Sequence, residues 1–246
     1  MISNNITPEA KREIESFVHS LGFCKPLFFA SGSQDYPFYC GGTCFLVRYN
    51  CKFFIFTAKH CLRDDPEFVY VLTNNSQELI PIRRQLSPVD EGDDSTWADV
   101  CCLTTYSGEH LPNLTADDYI DFDTMIQRHI FADVGHQLVL KSYPYCEFEI
   151  TSKNKLLKTP MLHMGRYGGT TESKHCHYFN VEYPELGDPN GMSGSPVVKL
   201  EYDLKLGAYP TVVGMVLQGS SSVQFLRFVG VDVLLRVLMR IQSHPF

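Results

Sequence analysis

No excess of positive charge runs through this chain of 246 residues: 21 lysines and arginines stand against 28 aspartates and glutamates, a net charge of −7. Nucleic-acid binders usually carry a basic patch, so that class is set aside. No stretch approaches the roughly 18 consecutive apolar residues of a membrane span, and no membrane contact is expected. Met1–Glu9 is polar and lacks the apolar core of a secretory leader, so the expected compartment is the cytoplasm. No two cysteines have CxxC spacing. There are nine of them, an odd number, and in a reducing compartment free thiols are expected rather than a disulfide framework. His175-Cys176-His177 has no second ligand pair at a zinc spacing and reads as ordinary strand residues. Neither metal nor cofactor is expected. Internal repeats and low-complexity tracts are also missing.

What is present is apolar and β-rich. At 44% hydrophobic residues, the chain can build one large all-β domain or two smaller ones. Thr7-Pro8-Glu9 opens a helix with a capping threonine and a first-turn proline; Ile14, Phe17, Val18 and Leu21 give its apolar stripe, and Gly22 ends it. Short strand-like segments follow, with turn residues between them. Thr43–Tyr49 and Lys52–Thr57 read as a hairpin across Tyr49-Asn50. Phe68–Thr73, Leu79–Arg83, Ala98–Thr104, Gln137–Ser142, Glu147–Thr151, Cys176–Tyr183, Val197–Leu200, Val212–Gln218 and Phe225–Val231 read as further strands. Thr115–Asp118 starts a short helix, and Asp232–Ile241 reads as a closing helix. Many short strands without alternating helices point to a closed or sandwiched antiparallel fold. A soft break near Leu111–Phe131 divides the strands into two halves.

The most informative stretch is Gly187–Lys199. Within it, Gly191-Met192-Ser193-Gly194-Ser195-Pro196 sets a serine between glycines. Glycine admits backbone conformations closed to other residues, so such a loop exposes a hydroxyl and aims the N–H groups of Gly191 and Ser193 at one point, as an oxyanion hole requires. The competing reading is a simple turn between strands. Upstream, Phe54–Cys61 ends an apolar strand with His60, and Asp99 heads the strand Val100–Leu103. A serine hydroxyl needs a base to take its proton as it attacks, which His60 could supply near neutrality. A carboxylate fixes the imidazole tautomer and stabilises the imidazolium. Asp93 and Asp94 lie close by, but Asp99 is preferred because the apolar strand follows it directly.

These motifs resemble the trypsin-like (chymotrypsin-fold) serine peptidase family. Cys40-Gly41-Gly42-Thr43 with Phe45-Leu46-Val47 is similar to its Cys-Gly-Gly-Ser strand, Thr57-Ala58-Lys59-His60-Cys61 to Thr-Ala-Ala-His-Cys, and Gly191–Pro196 to Gly-Asp-Ser-Gly-Gly-Pro. Val212–Val216, Val229-Gly230-Val231 and the last helix resemble its C-terminal part. The likeness runs from about Cys40 to the end and leaves the N-terminal helix outside. It implies two antiparallel six-stranded β-barrels: residues 25–115 carrying His60 and Asp99, residues 116–246 carrying Ser193 and the closing helix, and a helical extension over 1–24. It implies His60 as general base, Asp99 as its orienting carboxylate, Ser193 as nucleophile, and Gly191 and Ser193 as oxyanion donors. Gly187, Asp188, Gly219 and Gly230 fall at its substrate pocket, where the glycines would leave room for a large side chain and Asp188 could meet a basic one.

Two departures matter. Met192 stands where the digestive members have an aspartate that pairs with a newly cut N-terminus, so activation of that kind is not expected; the resemblance is to the intracellular bacterial and viral-type members. Cys40 and Cys61 occupy the place of a family disulfide, yet are expected reduced in the cytoplasm. The function implied is a serine endopeptidase acting on protein or peptide substrates, with control by a regulatory protein partner as an open expectation. The alternative is a latent or silent protease-fold binding module.

Overall fold

Two rings of antiparallel strands, built in the same order, account for most of the described residues. The computed structural model describes residues 21–30, 38–62, 69–72, 79–86, 98–105, 114–125, 132–144, 149–150, 156–157, 160–173, 175–203 and 207–243. The first ring uses β1 (Cys24–Ala30), β2 (Phe38–Tyr49), β3 (Lys52–Ala58), β4 (Val69–Leu72), β5 (Leu79–Leu86) and β6 (Val100–Thr105). They pair as β1-β2-β3-β6-β5-β4, and β4 returns to β1. A connecting stretch holds β7 (Ile120–Asp121) and one helical turn, α1 (Phe122–Met125). The second ring uses β8 (Gln137–Ser142), β11 (Met161–Thr170), β12 (Cys176–Tyr183), β13 (Pro196–Asp203), β14 (Gly207–Ser220) and β15 (Phe225–Gly230), closed as β8-β11-β12-β15-β14-β13. Between β8 and β11 lies the small pair β9 (Glu149–Ile150) and β10 (Leu156–Leu157). The final helix is α2 (Val231–Ser243). The two expected six-stranded barrels are present. Their common strand order is a structural repeat that the amino-acid sequence does not display.

The second barrel explains why its strands read as unbroken apolar runs. Successive strand residues point to opposite faces, and here both faces are covered. Leu138, Leu140, Val213, Val216, Leu226 and Phe228 fill the barrel. Their neighbours Val139, Val212, Met215 and Val229 join an outer core with Val233, Leu234, Val237 and Leu238 of α2. That helix buries one stripe and leaves Arg236 and Met239 exposed, the pattern of a packed surface helix. In the first barrel Phe45 stacks on Phe56, and Phe56 on Phe122 of α1.

Several sequence expectations shift. The β2–β3 turn falls on Asn50-Cys51, not Tyr49-Asn50. Both residues have positive φ (48° and 60°) between the paired Tyr49 and Lys52, as a tight two-residue hairpin demands. Thr115 caps a 3-10 turn over Ala116–Asp118 with a reciprocal Asp118 bond. β7 of the connecting stretch pairs in parallel with β2 through Val47 and Ile120. β1 and β11 have no counterpart in the sequence reading. The helix expected before Gly22 lies outside the described residues, apart from Leu21, which is in no helix. Among the described residues no helix is long and apolar enough to cross a membrane.

Candidate active site

β3 delivers the histidine. It ends at Ala58, and a 3-10 turn over Lys59–Leu62 lifts His60 out of the ladder. β6 lies beside β3, with Ala58 opposite Val100, so Asp99 arrives at the same rim. The Asp99 carboxylate grips His60 twice. Oδ1 accepts from the His60 backbone N–H at 2.9 Å, and Oδ2 meets Nδ1 at 2.6 Å. The Asp99 carbonyl accepts from the Lys59 N–H. The ring is therefore fixed in orientation, and Nε2 is the nitrogen left for a serine. Asp99 pushes the imidazole pKa up to about 10, with the Cys61 thiol adding to the effect. Asp93 and Asp94 lie outside the described residues.

Ser193 sits in the tight loop before β13. Gly191 and Gly194 both have φ of +86°, a conformation disfavoured for any residue with a Cβ. A side chain at Gly194 would also strike the Thr43 carbonyl. The loop's own hydrogen bonds divide its N–H groups in two. Those of Met192, Gly194 and Ser195 are tied to Pro189, Val216 and Met192 carbonyls at 2.8–3.0 Å. Those of Gly191 and Ser193 have no acceptor among the described residues. They are the two groups expected to serve an oxyanion.

The Ser193 hydroxyl donates to the Leu217 carbonyl at 3.0 Å. Leu217 occupies the register shift in the β14–β15 ladder between Val216 and Gln218, so its carbonyl is released from strand pairing. The serine thus lines the same cleft as His60 without being bonded to it. The two facts fit together: an imidazolium cannot accept a hydroxyl hydrogen bond, and the hydroxyl has another acceptor at hand.

Met192 cannot make an ion pair, and it makes none. It is 1% exposed and packs in the second-barrel core. The loop is braced from the first barrel instead. Buried Thr43 donates its hydroxyl to the Gly191 carbonyl at 2.8 Å and accepts the Tyr143 N–H at 2.8 Å. Its N–H reaches the Ser193 carbonyl at 3.3 Å, which also accepts the Cys61 thiol at 3.7 Å. Thr57 in turn holds the Thr43 carbonyl at 2.8 Å. Thr43 braces the serine loop, a contact that sequence reading did not single out. Thr43→Val leaves two buried polar groups unpaired, and is expected to slow acylation of Ser193 about 10-fold, the scale of one unsatisfied group. Thr43→Ser should restore the rate. Equal rates for the valine and serine variants would remove Thr43 from the mechanism.

The cleft holding these groups has a volume of about 1310 Å³. Gly187, Asp188, Gly191 and Gly219 line it, while Gly230 does not. A Cβ on Gly230 would meet Asp232 and His177 at 2.5 and 2.9 Å, and one on Gly219 would meet Leu226 and Pro189 at 2.5 and 2.7 Å. At Gly219 and Gly230 the missing side chain marks a close approach of the chain's own residues, whereas a Cβ on Gly187 would meet nothing within 4 Å. Asp188 is also committed. Its two oxygens accept from the backbone and side chain of Asn190, closing a local turn. Arg227 of β15, which sequence reading passed over, does line the cleft. Its signal was a lone charge inside the apolar run Phe225–Val231.

Cys40 and Cys61 are free thiols, the former donating to the Gly42 carbonyl at 3.5 Å. His175 binds Asp232 and His177 binds Tyr167, and among the described residues no cluster of ligands suits a metal.

No protein-family model and no curated protein matches the sequence. Solved structures do match in three dimensions. An inactive-form structure of a serine-to-alanine mutant of Rv3671c from M. tuberculosis H37Rv aligns over 93% of this chain and 91% of its own, with a TM-score of 0.50 and 13% identity. A mutant of human heparin binding protein (CAP37) aligns over 92% and 93%, with a TM-score of 0.57 and 13% identity. The chain has the chymotrypsin-like double-barrel fold, and at this identity the likeness is one of fold.

Proposed function

We propose that the chain is a serine endopeptidase. The observation that carries this is the double hold of Asp99 on His60, in a cleft that also presents Ser193. The reaction follows from the groups present. His60 Nε2 takes the proton of Ser193 Oγ as that oxygen bonds to the substrate carbonyl carbon. The carbonyl π electrons move to oxygen, which the N–H groups of Gly191 and Ser193 receive. When the carbonyl re-forms, the C–N bond breaks and the amine leaves with the proton held by His60. Water, activated by the same imidazole, then cleaves the Ser193 ester.

A specific observation also favours a resting state. The Ser193 hydroxyl faces Leu217, and Asp99 holds His60 towards its cationic form. Control by a protein partner that shifts this balance is part of the proposal; its limit is a latent binding module. One experiment separates these readings. Purified chain is treated with a fluorophosphonate probe beside Ser193→Ala. Labelling of the wild type alone, absent in the variant, is expected for a self-sufficient enzyme. Labelling only after addition of a cell extract supports partner control. A folded chain that labels under neither condition ends the peptidase reading.

A further inference from the structure

Arg227 is the cation of the cleft whose counter-charge is missing. On β15 its neighbours Leu226 and Phe228 turn into the barrel core, so Arg227 turns out of it. It is paired with Gln218 of β14, one residue beyond the Leu217 carbonyl that holds Ser193. Arg227 and Ser193 both line the cleft. Its guanidinium carbon lies 5.8 Å from the ring centre of Tyr178, which fixes the fork by its flat face. Its Nε is buried and has no hydrogen-bond partner.

No ion pair to Arg227 occurs among the described residues. Asp99 is bound to His60, and Asp188 to Asn190. Glu172 also lines the cleft but is exposed. Arg227 lines the cleft with a buried Nε that has no partner, and a guanidinium fork can receive a carboxylate in two-point contact. A lysine or arginine side chain placed beside it would meet like charge.

We propose that Arg227 forms a carboxylate-binding subsite, selecting peptides with glutamate or aspartate at the residue whose carbonyl Ser193 attacks. This rests on the peptidase reading for its place in a reaction, but not for its binding.

The test uses the full chain as Ser193→Ala, which binds without turnover, and fluorescent peptides differing only at that residue. Glutamate is expected to bind about 10²-fold more tightly than lysine, the scale of a desolvated charge pair against like charge. Arg227→Glu should reverse the order; should that variant not fold, Arg227→Gln should abolish the preference. Equal affinity for glutamate and lysine, a preference for lysine, or no binding of any peptide overturns the subsite. Fluorophosphonate labelling of the wild type reports separately on the peptidase reading. Labelling without glutamate preference sinks the subsite alone, whereas glutamate-selective binding with no labelling, either of the purified chain or after addition of a cell extract, sinks the peptidase alone.

Discussion

Asp99→Asn is expected to lower turnover about 10⁴-fold while the barrels stay folded, because an amide in place of the carboxylate favours the wrong imidazole tautomer and cannot stabilise the imidazolium. Asp99 bonds both the backbone and the ring of His60, so the asparagine retains a partner for the backbone N–H and the local turn should survive. A second signature distinguishes this role from scaffolding. Asp99 pushes His60 up to about 10. A base works only when unprotonated, so activity of the wild type is expected to rise with pH through this range and to be lost as pH falls below it. In Asp99→Asn the main cause of the raised value is gone, so the limb should move towards the ordinary imidazole value near 6.5. The measurement is probe-labelling rate against pH for both proteins. Turnover within ten-fold of wild type, or an unmoved limb, would sink the assignment.

The Ser193 hydroxyl is turned to the Leu217 carbonyl at the β14 bulge, and Asp99 favours the charged form of His60, which offers a hydroxyl no acceptor. Removal of that proton changes the better acceptor. The N–H groups of Gly191 and Ser193 have no acceptor among the described residues, and the loop is held by Thr43. Met192, buried, ties this loop to the second-barrel core.

How far this was legible in the sequence depends on the range of each interaction. The loop at Gly191–Ser195 could be read because its glycines and serine are local. His60 and Asp99 could be read because each ends or begins an apolar strand. β15 and α2 announced themselves by periodicity. What stayed hidden depends on distant partners. β1 carries Lys25 and Pro26 within seven residues, a poor strand by composition, and is held by pairing on both sides. β11 has three glycines, one of which, Gly165, makes room for the Asn180 carbonyl of β12. Gly219 and Gly230 carry the same ambiguity: a missing side chain signals close approach, but not of what. Arg227 and Thr43 acquire meaning only when β14 and the serine loop are set beside them.

Lys25 supplies the other large effect, on stability. It is 1% exposed, and its ammonium lies 2.5 Å from Asp118, which is fully buried and capped by Thr115. Burial pushes the Lys25 pKa down, and the Asp118 bond opposes this. Burial likewise pushes the Asp118 carboxyl up, but Lys25 and Thr115 together hold it below its usual value. Removing one partner strands the other in the core. Asp118→Ala is expected to cost about 3–5 kcal/mol, whereas replacing the pair by Lys25→Met with Asp118→Leu should recover most of the loss. The acid limb follows from the lowered carboxyl. Its stabilisation is fully present above the ordinary carboxylate value and is lost as pH falls through the lower, folded value. Asp118→Ala should therefore also flatten stability against pH at the acid end. Urea unfolding of the single and double variants across pH measures both effects. A single-variant cost under about 1 kcal/mol would mean that the pair behaves as a surface bridge, and that the junction of β1 with the linking segment is held by apolar packing alone.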